Sequence, residues 1–133
     1  MSSGTRGGRQ MAGPLLALAA LLLAAACGGG GGSPDVRQVA GGDAGHGKQL
    51  IQKYGCGSCH DIPGIGGAKG YVGPPLIKFS RRSYVAGVLQ NTPENLMRWL
   101  EHPQQVVPNN DMPEMGISEA DARDIAAYLY SLK

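Results

Sequence analysis

Cys56-Gly57-Ser58-Cys59-His60 spells C-x-x-C-H, and the reading of this stretch decides the fold. Two thiols three positions apart can each add to one vinyl group of a haem, while the imidazole directly after the second thiol is carried beneath the iron as its proximal ligand. The spacing therefore predicts covalent c-type haem attachment, with Cys56 and Cys59 as the attachment points and His60 as an axial ligand. A bare C-x-x-C also serves as a zinc half-site or a redox dithiol. Zinc needs a second ligand pair, and the remaining cysteine, Cys27, stands in a different kind of segment. Redox dithiols sit in a βαβ context that this pattern lacks.

Upstream, Arg6 and Arg9 precede an apolar run over residues 14–26 (PLLALAALLLAAA) that ends in small side chains. Residues 1–26 thus have the charged, apolar and cleavage regions of a secretory signal. The run is about a dozen residues, short of the ~20 that a membrane-spanning helix needs, so a retained transmembrane anchor is the weaker alternative. Leu23-Ala24-Ala25-Ala26-Cys27 resembles the bacterial lipoprotein signal, although Ala24 stands where that signal usually has Leu. The resemblance implies lipidation of Cys27 and a chain held to a membrane surface on the extracytoplasmic, periplasmic side. An ordinary secretory signal with a leftover cysteine is the alternative. Residues 27–42, with glycine throughout 28–32 and then Ser33-Pro34, read as the anchor cysteine followed by a flexible tether.

Charge argues against a nucleic-acid partner. The whole chain carries 12 basic and 10 acidic residues, and removal of Arg6 and Arg9 with the signal leaves the two signs balanced. No strong basic stripe is present. Lys69, Lys78, Arg81 and Arg82 cluster, whereas Glu101, Asp111, Glu114, Glu119, Asp121 and Asp124 crowd the C-terminal part. A solvated surface is the simplest account of both groups.

Residues 43–133 form one domain of roughly ninety residues, a size at which a protein's own apolar side chains give a modest core that a haem plate would enlarge. Three helices are legible by period. In the first, Gly47, Leu50, Ile51 and Tyr54 share a face, with Asp43 as cap. The second starts at Thr92-Pro93, places Leu96, Trp99 and Leu100 on one stripe and stops at Pro103. The third opens with the capping pattern Ser118-Glu119-Ala120-Asp121 and carries Ala122, Ile125, Tyr128, Leu129 and Leu132 on one face. Residues 62–75 hold too many Gly and Pro for regular structure, and a short helical piece is expected near 82–89. No alternating strand stands out, so the fold class is all-α, with three main helices wrapped around one covalently bound haem.

This order resembles the class I cytochrome c family over the whole folded part. The helix over 47–54 ending in C-x-x-C-H, then Gly73-Pro74-Pro75-Leu76, the helix over 93–102, Met112 on a loop, and the helix over 119–132 match that family's parts in sequence. The resemblance implies that Pro74 offers its carbonyl to His60, fixing the ligand's tautomer. It also implies Met112 as the second axial ligand, with Met115 on the same loop as competitor and Met97 a helix side chain. Trp99 occupies the place where the family often has an aromatic residue over the haem, and Arg81 or Arg82 stands where an arginine often faces a propionate. His46 and His102 are better explained as solvated or capping residues at helix ends. Gly47 and Ile51 are expected to meet Tyr128 and Ile125 or Leu129 where the terminal helices cross.

With imidazole and thioether both on iron, the chain would be an electron carrier, not an enzyme, and methionine moves the potential toward the high end of a range of about 0.8 V. The family implies respiratory electron transfer, with a quinol-oxidising complex as donor and a terminal oxidase or reductase as acceptor, by a free monomer or a complex subunit. A haem enzyme or gas sensor with a labile sixth ligand is the opposing reading.

Overall fold

The computed structural model describes residues 38–133, together with Met1, Ser3 and Gly4. Most of the signal over 1–26, Cys27 and most of the 27–42 tether lie outside the described residues.

Asp43 starts helix α1 (Ala44–Lys53): its carboxylate accepts the N–H groups of Gly45 and His46 at 2.8 and 3.0 Å, two donors the first turn would otherwise leave unpaired. Gly55, at φ 68°, reverses the chain after α1 and feeds the 3-10 turn Cys56–Ser58. Thr92 caps α2 (Pro93–Glu101) through the Asn95 N–H at 3.3 Å. Pro103 cannot extend that helix and instead opens the one-turn α3 (Pro103–Val106). Ser118 caps α4 (Glu119–Ser131), its hydroxyl accepting the Asp121 N–H at 3.2 Å. The Asp121 carboxylate accepts the Tyr54 hydroxyl at 2.6 Å, which joins α4 to the end of α1.

The terminal helices meet where Gly47 has no side chain. A Cβ there would lie 2.0 Å from the Asp124 carbonyl oxygen, so only glycine lets the two backbones come this close. Asp124 then clasps the start of α1, accepting the Asp43 N–H and the His46 Nδ1–H, each at 2.8 Å. These bonds, the Asp43 N–H first, hold the Asp124 carboxyl below its ordinary pKa. Most of the expected stripes are buried, namely Leu50 and Ile51 from α1, Leu96 and Leu100 from α2, and Ala122, Ile125, Tyr128 and Leu129 from α4, while Tyr54, Trp99 and Leu132 are only partly so. Each large aliphatic side chain so buried contributes about 1.5–3 kcal/mol. Tyr128 reaches past the crossing, donating its hydroxyl to the Pro63 carbonyl at 2.7 Å and pinning the 62–68 loop.

The short helix expected near 82–89 is replaced by a hairpin. Strand β1 (Tyr84–Val85) pairs antiparallel with β2 (Leu89–Gln90), Val85 opposite Leu89. The turn between them puts Ala86 and Gly87 at φ 52° and 73°, a left-handed pair that no helix accommodates. The regular structure among the described residues is otherwise helical. Residues 62–75 contain no helix or strand beyond one isolated bridge between Asp61 and Lys69, as the density of Gly and Pro predicts.

Candidate cofactor site

A cavity of about 530 Å³ brings together Cys56, Cys59, His60, Trp99, Met112 and Met115. Its walls include Ile51, Leu96, Leu100 and Leu129, so the same side chains that form the core also line the cavity. The volume falls within the ~300–1,000 Å³ usual for cofactor sites.

The C-x-x-C-H stretch enters this cavity as a tight turn. Cys56 O accepts the N–H groups of Cys59 and His60 at 3.2 and 3.0 Å. Neither cysteine is in a disulfide, and burial pushes the Cys56 thiol's pKa up. Zinc would need a second ligand pair beside them, and among the described residues no group of three or more His, Cys, Asp or Glu side chains is placed to hold a metal ion.

His60 is held by the loop after residue 72. Its Nδ1 lies 2.7 Å from the Pro74 carbonyl oxygen. A carbonyl only accepts, so Nδ1 carries the proton and Nε2 keeps its lone pair for a metal. Gly73 passes flat against the ring, and a Cβ there would come within 2.3 Å of His60 Cε1. Backbone bonds from Gly73 N to Cys59 O at 2.9 Å and from Leu76 N to Asp61 O at 2.8 Å fix the loop to the motif.

Met112 and Met115 reach the cavity from the irregular segment after α3, whereas Met97, His46 and His102 are not on its wall. Arg81 and Arg82 differ in where they stand. Arg82 lines the cavity, half-buried, with its guanidinium donating to the Pro75 carbonyl and lying 5.3 Å from the Phe79 ring centroid. Burial lowers its pKa. Arg81 is exposed.

Sequence reasoning missed the wall made by Phe79, Tyr84 and Val85, and it missed Asn91. The buried Asn91 amide accepts the Tyr130 hydroxyl at 2.8 Å and donates to Phe79 O and Arg82 O at 3.1 and 3.0 Å, tying the Arg82 backbone to α4. The β-forming pairs Tyr84-Val85 and Val88-Leu89 flanking Ala86-Gly87 were the available signal for this region. Tyr54 was read only as part of a helix stripe. It also lines the cavity, and its bond to Asp121 holds the phenol above its ordinary pKa.

Two thiols, an imidazole with its outer nitrogen engaged, and thioether sulfurs among aliphatic walls suit a large apolar group bound through sulfur and nitrogen, as haem is. Residues 44–133 match the family model described as Cytochrome c. The chain belongs to the cytochrome c family. It is a class I c-type cytochrome domain, whose cofactor is covalently bound haem c. This cytochrome c domain is 38% identical over 91 residues to cytochrome c oxidase subunit 2 of Alkalihalophilus pseudofirmus and 34% identical over 96 residues to that of Bacillus subtilis. In each case 68% of the chain is covered but only 26% of the relative, so the chain spans about a quarter of those subunits' length. It is 34% identical over 107 residues to cytochrome c2 of Rhodopila globiformis, covering 69% of the chain and 95% of that protein. No solved structure matches the chain significantly. Among the described residues no helix is long and apolar enough to cross a membrane.

Proposed function

We propose that this chain is a mono-haem electron carrier in which Cys56 and Cys59 hold haem c by thioether bonds while His60 and Met112 are the axial ligands. The observation that carries this reading is the joint presence of both thiols, the Pro74-bound imidazole and the Met112 thioether on one aliphatic cavity. Bound there, haem supplies one-electron exchange between Fe(II) and Fe(III). Pro74 fixes the His60 tautomer and raises the basicity of Nε2. Leu96, Leu100 and Leu129 line the cavity and would keep water from a haem held there, and the half-buried Trp99 adds an aromatic face to the same wall. Arg82 places a partly desolvated cation at the cavity, suited to a propionate. With His60 and Met112 both holding the haem iron, the protein would leave no place for a substrate on the metal.

The kinship with oxidase subunit 2 supports a respiratory setting in which a quinol-oxidising complex supplies electrons and a terminal oxidase or reductase accepts them. It equally suits a fixed subunit of such a complex. The leader pattern over 1–26 supports export to the periplasmic side, with lipidated Cys27 as the membrane tether.

Protein matured in an exporting host with c-type haem attachment should keep its haem through acid-acetone extraction and titrate as one electron at a positive potential. Haem that extracts freely, or rapid carbon monoxide binding to the reduced protein, would favour a haem enzyme or gas sensor. Mass spectrometry of the mature N-terminus tests the tether: a diacylglyceryl-modified peptide starting at Cys27 is expected, and an unmodified peptide starting elsewhere defeats it.

A further inference from the structure

The segment that carries Met112 is fastened by two side-chain amides. Gln104 accepts the Asn109 N–H at 3.1 Å through Oε1, and its Nε2 donates to Asn110 O at 3.0 Å and Met112 O at 2.8 Å. Asn110 accepts the Met112 N–H at 2.7 Å through Oδ1, and its Nδ2 donates to Pro103 O at 3.0 Å and Val107 O at 2.6 Å. The Gln104 N–H in turn donates to the Glu114 carboxylate at 3.1 Å. Every donor and acceptor faces a complementary backbone group, so neither amide can be flipped without facing like against like.

Met112 therefore has its N–H and its C=O each bound to a side chain. It makes no main-chain to main-chain hydrogen bond among the described residues. The turn before it is tight, with Asn109 at φ 60°, a conformation asparagine tolerates better than most residues. Gln104 stands on α3, whose Pro103 is buried in the core, so the clamp refers the position of Met112 to the folded body.

We infer that Gln104 and Asn110 are positioning residues for Met112, setting how firmly its thioether is held at the cavity and how readily an outside ligand replaces it. The inference rests on the assignment of Met112 as the sixth ligand. Without the clamp the segment has few other bonds to hold Met112 in register, and the fraction of molecules with the sulfur displaced rises.

The test uses matured, haem-loaded protein carrying Asn110→Leu, Gln104→Met or the conservative Asn110→Asp, which keeps the acceptor for the Met112 N–H. Asp124→Asn serves as a control that weakens a polar clasp at the start of α1, off the cavity wall. Two readouts are followed: hydrogen exchange of the Met112 amide, and the carbon monoxide association rate of the reduced protein. Asn110→Leu and Gln104→Met should each raise both about tenfold, equivalent to about 1.4 kcal/mol, with Asn110→Asp moving the exchange less than Asn110→Leu. Asp124→Asn should lower the denaturation midpoint and leave both readouts at the wild-type value. If the clamp variants behave like Asp124→Asn, losing stability with both readouts unmoved, the inference is wrong. Met112→Ala separates the two levels: retention of the thioether-to-ferric-iron band removes the ligand assignment and the inference with it. Loss of that band beside inert clamp variants overturns the positioning role alone.

Discussion

The Nδ1 atom of His60 lies 2.7 Å from the carbonyl oxygen of Pro74, and the residue before that proline, Gly73, is the only type whose backbone can pass the imidazole at this distance. Gly73→Ala would drive a methyl group into the ring at 2.3 Å from Cε1. Relief requires turning the imidazole or moving the loop, and overpacking of this kind costs about 1–3 kcal/mol. Gly73→Ala should therefore lower the denaturation midpoint and shift the Soret spectrum, whereas an unchanged spectrum would mean that the loop yields without disturbing His60.

Gly47→Ala tests the crossing of α1 and α4. The added carbon would meet the Asp124 carbonyl oxygen at 2.0 Å, and backbone cannot swing aside as a flexible side chain can. A loss of about 3 kcal/mol is expected, despite alanine's better helix propensity. Urea denaturation of the two proteins measures it, and equal midpoints would contradict the packing.

Asp124 gives a pH signature. Its folded pKa lies below the ordinary value of 3.8, so its contribution is fully present above that value and is lost as pH falls through the folded pKa. Asp124→Asn should cost about 1–2 kcal/mol at neutral pH, with the gap to wild type closing under acid. Stability curves across the acid range report this directly. A gap that is constant with pH would show that the charge is not what Asp43 and His46 bind.

Tyr54 gives the opposite sign. Its phenol is held above the ordinary value of 10.0, chiefly by the bond to Asp121, so the stabilisation is present below that value and is lost as pH rises through the folded pKa. Tyr54→Phe should cost about 1 kcal/mol at neutral pH, and the difference should vanish in alkali. Thermal melts of both proteins in neutral and alkaline buffer check it.

The helices were legible because their signals are local. Asp43, Thr92 and Ser118 sit where a cap must, and Leu50, Leu96 and Ile125 recur at helical spacing, so the elements and their buried faces follow from the chain alone. The cavity was legible at its sulfur and imidazole donors, because C-x-x-C-H is a contiguous motif. Its remaining wall was not, since Phe79, Tyr84 and Val85 reach it through a hairpin whose turn rests on an alanine at positive φ, which carries no residue-type signal. Long-range polar partners were equally hidden. Asn91 meets Tyr130 across 39 residues, and Tyr54 meets Asp121 across 67. Asp121 in the capping pattern pointed to Ser118, and the structure sends its carboxylate to α1.

The central claim is that Met112, and not its neighbour on the same cavity wall, joins His60 on the haem iron. It is tested most directly by recording the far-red thioether-to-ferric-iron absorption band of oxidised, matured Met112→Ala and Met115→Ala proteins. The band should disappear in Met112→Ala and persist in Met115→Ala. Its survival in Met112→Ala would contradict the account.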